Sequence, residues 1–315
     1  MDPAWATLDT IGGKAVLRFE RRLAHPPEKV FRAISDPAEL RHWFPARVET
    51  ELRRGAPIRF SFAEHDADAP GGEVVELDPP KLLVYTWGDD VLRWEIVPEG
   101  DGCRLCFSQT LAEGGTSGGL PGTARNAAGW DLCLGRLAAR LHRAAPPEVD
   151  WFPLFEGYVE RFGLGEGTVR ASGDGFVLRF ERDVVQTPEQ VWALLTDGAD
   201  VVVGAPAPRR FGPAPPGRVT AVEPERTLAF DAVRWTFEPR IPGSLVVVEE
   251  TLPELRPAAL AAWQVHLELL VAGLQGIERC WPDERVAALG ARYAARLYSS
   301  RSVWPPSTTS ETPVT

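Results

Sequence analysis

The chain is 315 residues long and carries a net charge of −10, enough for about two domains, each able to bury a core without disulfide staples. That balance, with only three lysines (Lys14, Lys29, Lys81), argues against a nucleic-acid or anionic-membrane surface, because such partners need clustered Lys and Arg to displace counterions. The four cysteines lack the paired spacing of a secreted scaffold. Met1-Asp2-Pro3-Ala4-Trp5 has neither the basic start nor the apolar run of a signal, and no stretch is expected to span or insert into a membrane, so a cytoplasmic protein is expected.

A strand is predicted near Ala15–Leu23, with Leu17, Phe19 and Leu23 on one face. A helix follows over Pro27–Ser35, where proline suits the first turn, Glu28 suits the positive end of the dipole, and Val30, Phe31 and Ile34 form a buried edge. After a brief helical piece at Pro37–Trp43, strands are predicted at Arg47–Leu52, Ile58–Ala63, Gly72–Leu77, Leu82–Trp87, Leu92–Val97 and Arg104–Leu111. Turn residues such as Arg54-Gly55, Asp78-Pro79-Pro80 and Gly88-Asp89-Asp90 separate them, and connections this short mean antiparallel hairpins. A glycine-rich loop, Gly114–Gly122, leads to a helix over Arg125–His142 whose Trp130, Leu134, Leu137 and Leu141 draw one apolar stripe. A shorter helix carries Leu154, Tyr158 and Arg161.

The pattern then recurs. Val16-Leu17-Arg18-Phe19-Glu20-Arg21 returns as Val177-Leu178-Arg179-Phe180-Glu181-Arg182, Arg93-Trp94 as Arg234-Trp235, and the helical stripe as Trp263, Leu267, Leu270 and Leu274. Leu154, Tyr158 and Arg161 match Leu289, Tyr293 and Arg296. A repeat of about 160 residues fits a duplicated domain rather than a solenoid unit. Thr187-Pro188-Glu189-Gln190 opens the first helix of the second copy as a capping box. Asp36 and Gly72 lie 36 positions apart but their counterparts Asp197 and Gly217 only 20, so the second copy is abbreviated. The expected division is domain 1 over residues 1–162, a glycine-rich linker over 163–175, a degenerate domain 2 over 176–298, and a disordered tail over 299–315. The fold class is α+β: a sheet with one apolar face needs a cover, and the long helix is the only element able to supply it. A helix gripped against a curved sheet often leaves a cavity, where small molecules go.

Pro27-Glu28-x-Val30-Phe31, Trp43-Phe44, Gly72-x-Val74-x-Glu76-x-x-Pro79-Pro80-x-x-Leu83-Val84-x-Thr86-Trp87, and Gly129-Trp130 opening a leucine-striped helix together resemble the activator of heat-shock protein 90 ATPase homologue family. That family lies in the START-like (SRPBCC) superfamily of helix-grip folds. The resemblance covers residues 14–142 well and 176–275 loosely. It implies two tandem helix-grip domains, each a curved antiparallel sheet wrapped around a long C-terminal helix. The superfamily holds lipid and hormone carriers, polyketide cyclases and aromatases, and many bacterial members without an assigned role, so the fold does not choose an activity. The co-chaperone that names the family has a separate N-terminal docking domain that is not visible here, which weakens a chaperone reading.

Strand alternation assigns Leu105, Phe107 and Gln109 to the cavity face; for Leu83, Tyr85 and Trp87, and for Leu92, Trp94 and Ile96, the inward side is left open. The candidate lining of the first cavity is Trp43, Phe60, Tyr85, Trp87, Trp94, Phe107, Gln109, Trp130, Cys133 and Leu134, a set that describes a ligand pocket and an ordinary core equally well. In the second copy Glu250 takes the place of Gln109 and His266 that of Cys133, a carboxylate and an imidazole whose pKa values would shift in an apolar pocket and could serve proton transfer. Cys103 and Cys106, three apart on a strand, face opposite sides and suit neither one metal nor an easy disulfide. Gly115-Thr116-Ser117-Gly118-Gly119 matches a hydrolase motif outside its structural context, and the five histidines show no metal-ligand spacing. No catalytic residue, metal or cofactor is assigned. The leading expectation is a small hydrophobic ligand in the first domain, bound without catalysis. A cavity enzyme of cyclase or hydrolase type is the alternative, and a protein-interaction or co-chaperone-like module the third.

Overall fold

The computed structural model describes residues 5–62, 70–112, 118–208, 217–240 and 242–299. The expected tail beyond 299 and residues 115–117 of the hydrolase-like motif lie outside them. The chain forms two compact units: the chain to Leu164 with Asp183–Thr187 and Pro239–Leu245, and Gly165–Arg182 with Pro188–Glu238 and the chain from Val246.

The first unit runs β1 (Thr7–Ile11), β2 (Lys14–Leu23), α1 (Pro27–Ser35), α2 (Pro37–Leu40), β3 (Arg47–Thr50), β4 (Pro57–Ser61), β5 (Gly72–Asp78), β6 (Leu82–Trp87), β7 (Asp90–Glu99), β8 (Gly102–Thr110), α3 (Thr123–His142) and α4 (Trp151–Phe162). Its eight strands are ordered β1-β2-β8-β7-β6-β5-β4-β3 and every neighbouring pair is antiparallel. The predicted meander is β3 to β8, and β2 closes on the last strand of that meander. β1 was not foreseen. Its sequence, Thr-Leu-Asp-Thr-Ile, is almost wholly exposed and has no apolar alternation, as an edge strand with one solvated face allows. Its remaining signal was Gly12-Gly13, which joins Ile11 to Lys14 with φ of 58° and 80°, the two positive values that a two-residue hairpin turn demands.

Alternation fixes the inward face left open above. Leu83 and Tyr85 on β6, Leu92, Trp94 and Ile96 on β7, and Leu105, Phe107 and Gln109 on β8 are all buried, while Arg93, Glu95 and Arg104 face out, Arg93 pairing with Glu76 and Glu95 and Arg104 with Glu20. α3 covers that inward face with Trp130, Leu134, Leu137 and Leu141, all buried as the stripe predicted, each leucine contributing about 1.5–3 kcal/mol of burial. α4 is tied back onto α3 by Tyr158, whose hydroxyl donates to the Asp131 carboxylate and accepts from the Ala6 N–H at 3.0 Å. Arg21 on β2 donates to the same carboxylate.

The second unit runs β9 (Thr168–Ser172), β10 (Gly175–Val184), α5 (Pro188–Thr196), β11 (Val219–Glu223), β12 (Thr227–Phe230), β13 (Val233–Pro239), β14 (Ser244–Leu252), α6 (Pro257–Leu274) and α7 (Asp283–Ser299). The strand order β11-β12-β13-β14-β10-β9 is that of the first sheet without its β4-β3 end. Among the described residues between α5 and β11, only the isolated Pro206–Arg218 bridge remains of that hairpin, so the second helix-grip domain is abbreviated as the 20-residue spacing implied. The Tyr tie recurs: Tyr293 on α7 donates to Gln264 Oε1 at 2.7 Å and accepts from the Gly167 N–H at 3.0 Å.

Two expectations are corrected. The segment 163–175, expected as a linker from its glycines, is structured: Gly163 caps α4, Thr168–Ser172 is β9, and Gly173 turns the chain into β10. Gly167 is there because a Cβ would lie 2.3 Å from the Phe180 ring, so composition reported close approach, not flexibility. Second, α6 does have the length and composition to cross a membrane, with mean hydropathy 1.3 over 18 residues. Most of it is buried in the second unit, and a helix apolar all round is what the centre of a core requires.

Candidate functional site

Ladder register builds the site from four strands. Leu83, Trp94, Phe107 and Phe19 stand directly across from one another on β6, β7, β8 and β2, and Tyr85, Leu92, Gln109 and Leu17 form the next rung. Trp94 stacks on Phe107 with centroids 3.9 Å apart, Phe107 stacks on Phe19 at 5.6 Å, and Trp130 of α3 meets Phe107 edge-on at 4.5 Å. Trp43, after α2, closes over Trp94 at 5.8 Å and anchors itself by donating to the Ala33 carbonyl at 2.9 Å. Such ring pairs contribute about 0.5–1.5 kcal/mol each beyond area burial.

Toward the β4 end the rings change orientation. Phe60 and Phe62 lie nearly parallel to Trp87, at 4.6 Å and 5.9 Å with interplanar angles of 18° and 19°. Phe44 lies 5.5 Å from Trp87 and 5.8 Å from Trp130. Phe44 and Phe60 are buried, whereas Trp87 and Phe62 keep part of their surface exposed, so an aromatic stack with an accessible side sits beside the core cluster.

A polar thread crosses this apolar region. The Trp130 indole donates to Gln109 Oε1 at 2.7 Å, Gln109 Nε2 donates to Asp90 Oδ2 at 2.7 Å, and Asp90 Oδ1 accepts from the Ala112 N–H at 2.9 Å. Asp90 and Gln109 are only 2% and 3% exposed. Both ends of the Gln109 amide are therefore engaged within the protein. Cys133 and Tyr85 are buried without charge: burial pushes the Cys133 thiol up to about 12 and raises the Tyr85 phenol. Trp43 and Trp130 spend their N–H groups on protein acceptors, but the Trp94 indole nitrogen, fully buried, closes no hydrogen bond among the described residues. It faces the Tyr85 hydroxyl, which can accept as well as donate and has Cys133 as a further neighbour.

The second domain repeats the frame with different polar groups. Trp263 on α6 donates to Glu250 Oε2 at 2.8 Å, the counterpart of the bond from Trp130 to Gln109. Burial raises the Glu250 carboxyl, with the Trp263 N–H and Arg256 pulling the other way. His266 lies between the rings of Trp235 and Trp263, at 5.7 Å and 5.3 Å, and burial lowers it to about 4, which keeps the imidazole neutral near pH 7. Both residues are buried in the core as alignment suggested.

Residues 24–142 match the sequence profile described as Activator of Hsp90 ATPase homolog 1-like protein. This part of the chain belongs to that family. Comparison with curated proteins gives no significant match. Among solved structures, the chain is similar to a conserved protein of unknown function, EF2215, from Enterococcus faecalis, at 22% identity over 50% of this chain and 90% of that one, with a TM-score of 0.45. It is also similar to CalU16 from Micromonospora echinospora, at 16% identity over 50% and 93% with a TM-score of 0.39, and to the BPP1335 protein of Bordetella parapertussis, at 22% over 52% and 94% with a TM-score of 0.37.

In the Hsp90-activator-like domain, all ten residues singled out from the sequence face one interior. Trp43, Trp94, Phe107 and Trp130 form its closed cluster, Phe60 and Trp87 its open stack, and Tyr85, Gln109 and Cys133 its polar groups, with Leu134 beneath Trp130 on α3. Phe44, Phe62 and Asp90 were missed as site residues. Phe62 continues the inward alternation of Ile58 and Phe60. Asp90 was read as a turn residue with Gly88 and Asp89, although the same period that places Leu92 and Trp94 places it inward. Cys103 is buried and Cys106 is not, as opposite faces of β8 require.

Proposed function

We propose that the Hsp90-activator-like domain binds a small, flat, apolar molecule against the stack of Phe44, Phe60, Phe62 and Trp87, with Trp130 at its edge, and does not transform it. The observation that carries this reading is the run of near-parallel rings ending in partly exposed Trp87 and Phe62. Large aromatic surfaces kept partly in water are costly for a purely structural core and well suited to sandwiching a planar guest. The nearby polar thread is saturated internally, so affinity there rests on ring contact rather than on charge. The enzymatic alternative rests on Glu250 and His266, and the Glu250 carboxylate is taken up by Trp263, which places that reading second. The test is native mass spectrometry of protein purified from its own host, together with melting temperatures across an apolar-ligand library. A retained small molecule, or a subset of flat ligands that raise the melting temperature of the wild type but not of Trp87→Ala, supports the proposal. An empty chain with a melting temperature fixed across the library overturns it.

A further inference from the structure

Three titratable side chains outside the stack meet where α1 reaches the end of α3. Lys29, in the first turn of α1, donates to the Leu141 carbonyl at 3.0 Å and to His25 Nδ1 at 3.3 Å. The Leu141 carbonyl is one of those that a helix end leaves without an intrahelical partner. His142 of α3 stands beside His25 with ring centroids 4.7 Å apart. An ammonium has hydrogens only to give, so His25 Nδ1 must accept, and the imidazole proton sits on Nε2. That nitrogen is buried and closes no hydrogen bond among the described residues. Lys29 thus ties α1 to α3, and the neutral form of His25 holds Lys29 in place.

The charges acting on this imidazole are both positive. Burial first, then Lys29 and His142, lower the His25 pKa below its ordinary 6.5. Arg140 of α3 pairs with Glu39 at 3.1 Å and Arg22 of β2 with Glu99 at 3.5 Å. Glu28 and Arg32 share α1, Arg143 caps α3, and Asp101 lies in the β7–β8 turn that backs onto Ala24. None of these is among the charges that act on His25. The second domain builds the same joint from amides. At the offset of the repeat Gln186 stands for His25 and Gln190 for Lys29, and along the helical stripe Gln275 stands for His142. The helix-grip frame therefore does not require titratable groups at these positions, and the first domain alone has them.

We infer that the joint between α1 and α3 of the first domain is a proton-operated latch, closed while His25 is neutral and released when His25 takes a proton on Nδ1. A protonated Nδ1 sets an N–H against the Lys29 ammonium, so Lys29 must withdraw and its bond to Leu141 goes with it. The C-terminal end of α3 favours one cation at its carbonyls, but it offers no acceptor to a second one on His25. The folded pKa of His25 lies below the unfolded one, so the latch is complete above pH 6.5 and is lost as pH falls from there toward the folded value. Release reaches the aromatic cluster through α1, because Trp43 hangs from the Ala33 carbonyl of that helix at 2.9 Å. The latch does not depend on the ligand reading above.

Two measurements on the full chain test the latch. Long-range proton–nitrogen correlation spectra of the imidazoles, with His25→Gln assigning the His25 signals, read its tautomer: the proton should sit on Nε2 at about pH 7.5, and a second should reach Nδ1 only below the ordinary histidine range. Amide exchange, corrected for its intrinsic pH dependence, is followed over Val30–Ile34 of α1, with the β7 amides reporting opening of the whole domain. Between about pH 7 and about pH 5 the α1 amides should speed up about tenfold relative to β7, the effect of one charge-assisted hydrogen bond lost. In His25→Gln, whose amide oxygen accepts from Lys29 at either pH, α1 should keep its neutral-pH protection on acidification. In Lys29→Met that protection should be weakened equally at both. A proton on Nδ1 at neutral pH, an acceleration shared equally by α1 and β7 or absent from both, or an unchanged pH response in His25→Gln each overturns the latch. The tautomer and the comparison of α1 with β7 come from the wild type, so they decide the matter even if a variant fails to fold.

Discussion

Replacing Gln109 by glutamate imitates what the second domain already does, since Glu250 occupies the equivalent position and accepts from Trp263 at 2.8 Å. In the first domain the same change should be costly at neutral pH. Gln109 Nε2 donates to Asp90 Oδ2 across 2.7 Å, and Gln109→Glu sets a second carboxylate against it inside an apolar core. Two carboxylates that close cannot both ionise, so the pair must retain one proton. Holding a proton on a group with an unfolded pKa near 4.3 costs about 4 kcal/mol at pH 7 and about 1 kcal/mol at pH 5. The folded-state pKa of the pair is raised, the folded state binds more protons than the unfolded one above pH 4.3, and the variant therefore loses stability as pH rises from there. Once protonated, the pair regains an O–H···O bond and the Trp130 contact can persist. Calorimetric unfolding at pH 5 and pH 7, with the transition of the other domain as reference, should show a near-native variant at pH 5 and a strongly destabilised one at pH 7. An equal loss at both pH values, or a loss under about 1 kcal/mol at pH 7, would refute the reasoning. The reciprocal change Glu250→Gln should be neutral or mildly stabilising at pH 7, because it removes a carboxyl whose charged form burial penalises while keeping the acceptor for Trp263.

Trp87→Ala should weaken any stacking ligand by tenfold or more yet destabilise the fold less than Trp94→Ala, since Trp87 is only partly buried; ligand titration and urea unfolding of both variants check this. His266 has a folded pKa of about 4 against 6.5 when unfolded, so its contribution is complete above pH 6.5 and is lost as pH falls toward 4. That is about 3 kcal/mol, and His266→Leu should flatten the acid limb of the second domain's stability profile. Tyr158→Phe removes an acceptor from the Ala6 N–H and a donor to Asp131, at a cost of about 1–3 kcal/mol. Amide exchange should then accelerate at Ala6 while Gly167, held by Tyr293, stays protected.

The meander and the gripping helix were legible because their signals are periodic: alternation on β6 to β8 and a leucine stripe on α3 survive any tertiary context. What escaped were elements whose residues answer to a partner rather than to a period. β1 and β9 are exposed edge strands that pair only with β2 and β10, and their glycines read as looseness although each marks a tight hairpin or the close approach of Phe180. The inward set was recognised residue by residue, but its division into a closed cluster and an open stack depends on ring planes, which no spacing encodes. Asp90 was lost for a related reason, because turn composition masked a position that strand period would have assigned correctly.

Having two copies on one chain turns each site residue into a comparison. Trp94 and Trp235, and Trp130 and Trp263, keep the same places, so these indole positions belong to the architecture of the grip. The differences fall at the polar positions around them: Gln109 against Glu250, Cys133 against His266, Tyr85 against Phe230. They fall also at the missing hairpin, for Phe44, Phe60 and Phe62 come from the segment that the second domain has shed. The open stack is therefore confined to the first domain. If the shared frame were the functional part, the second domain should bind whatever the first binds. If the unshared part is, Phe60→Ala should abolish binding of flat apolar ligands to the full chain although the second domain is untouched, an outcome that ligand titration reads directly, and unchanged binding in that variant would move the site back to the shared frame.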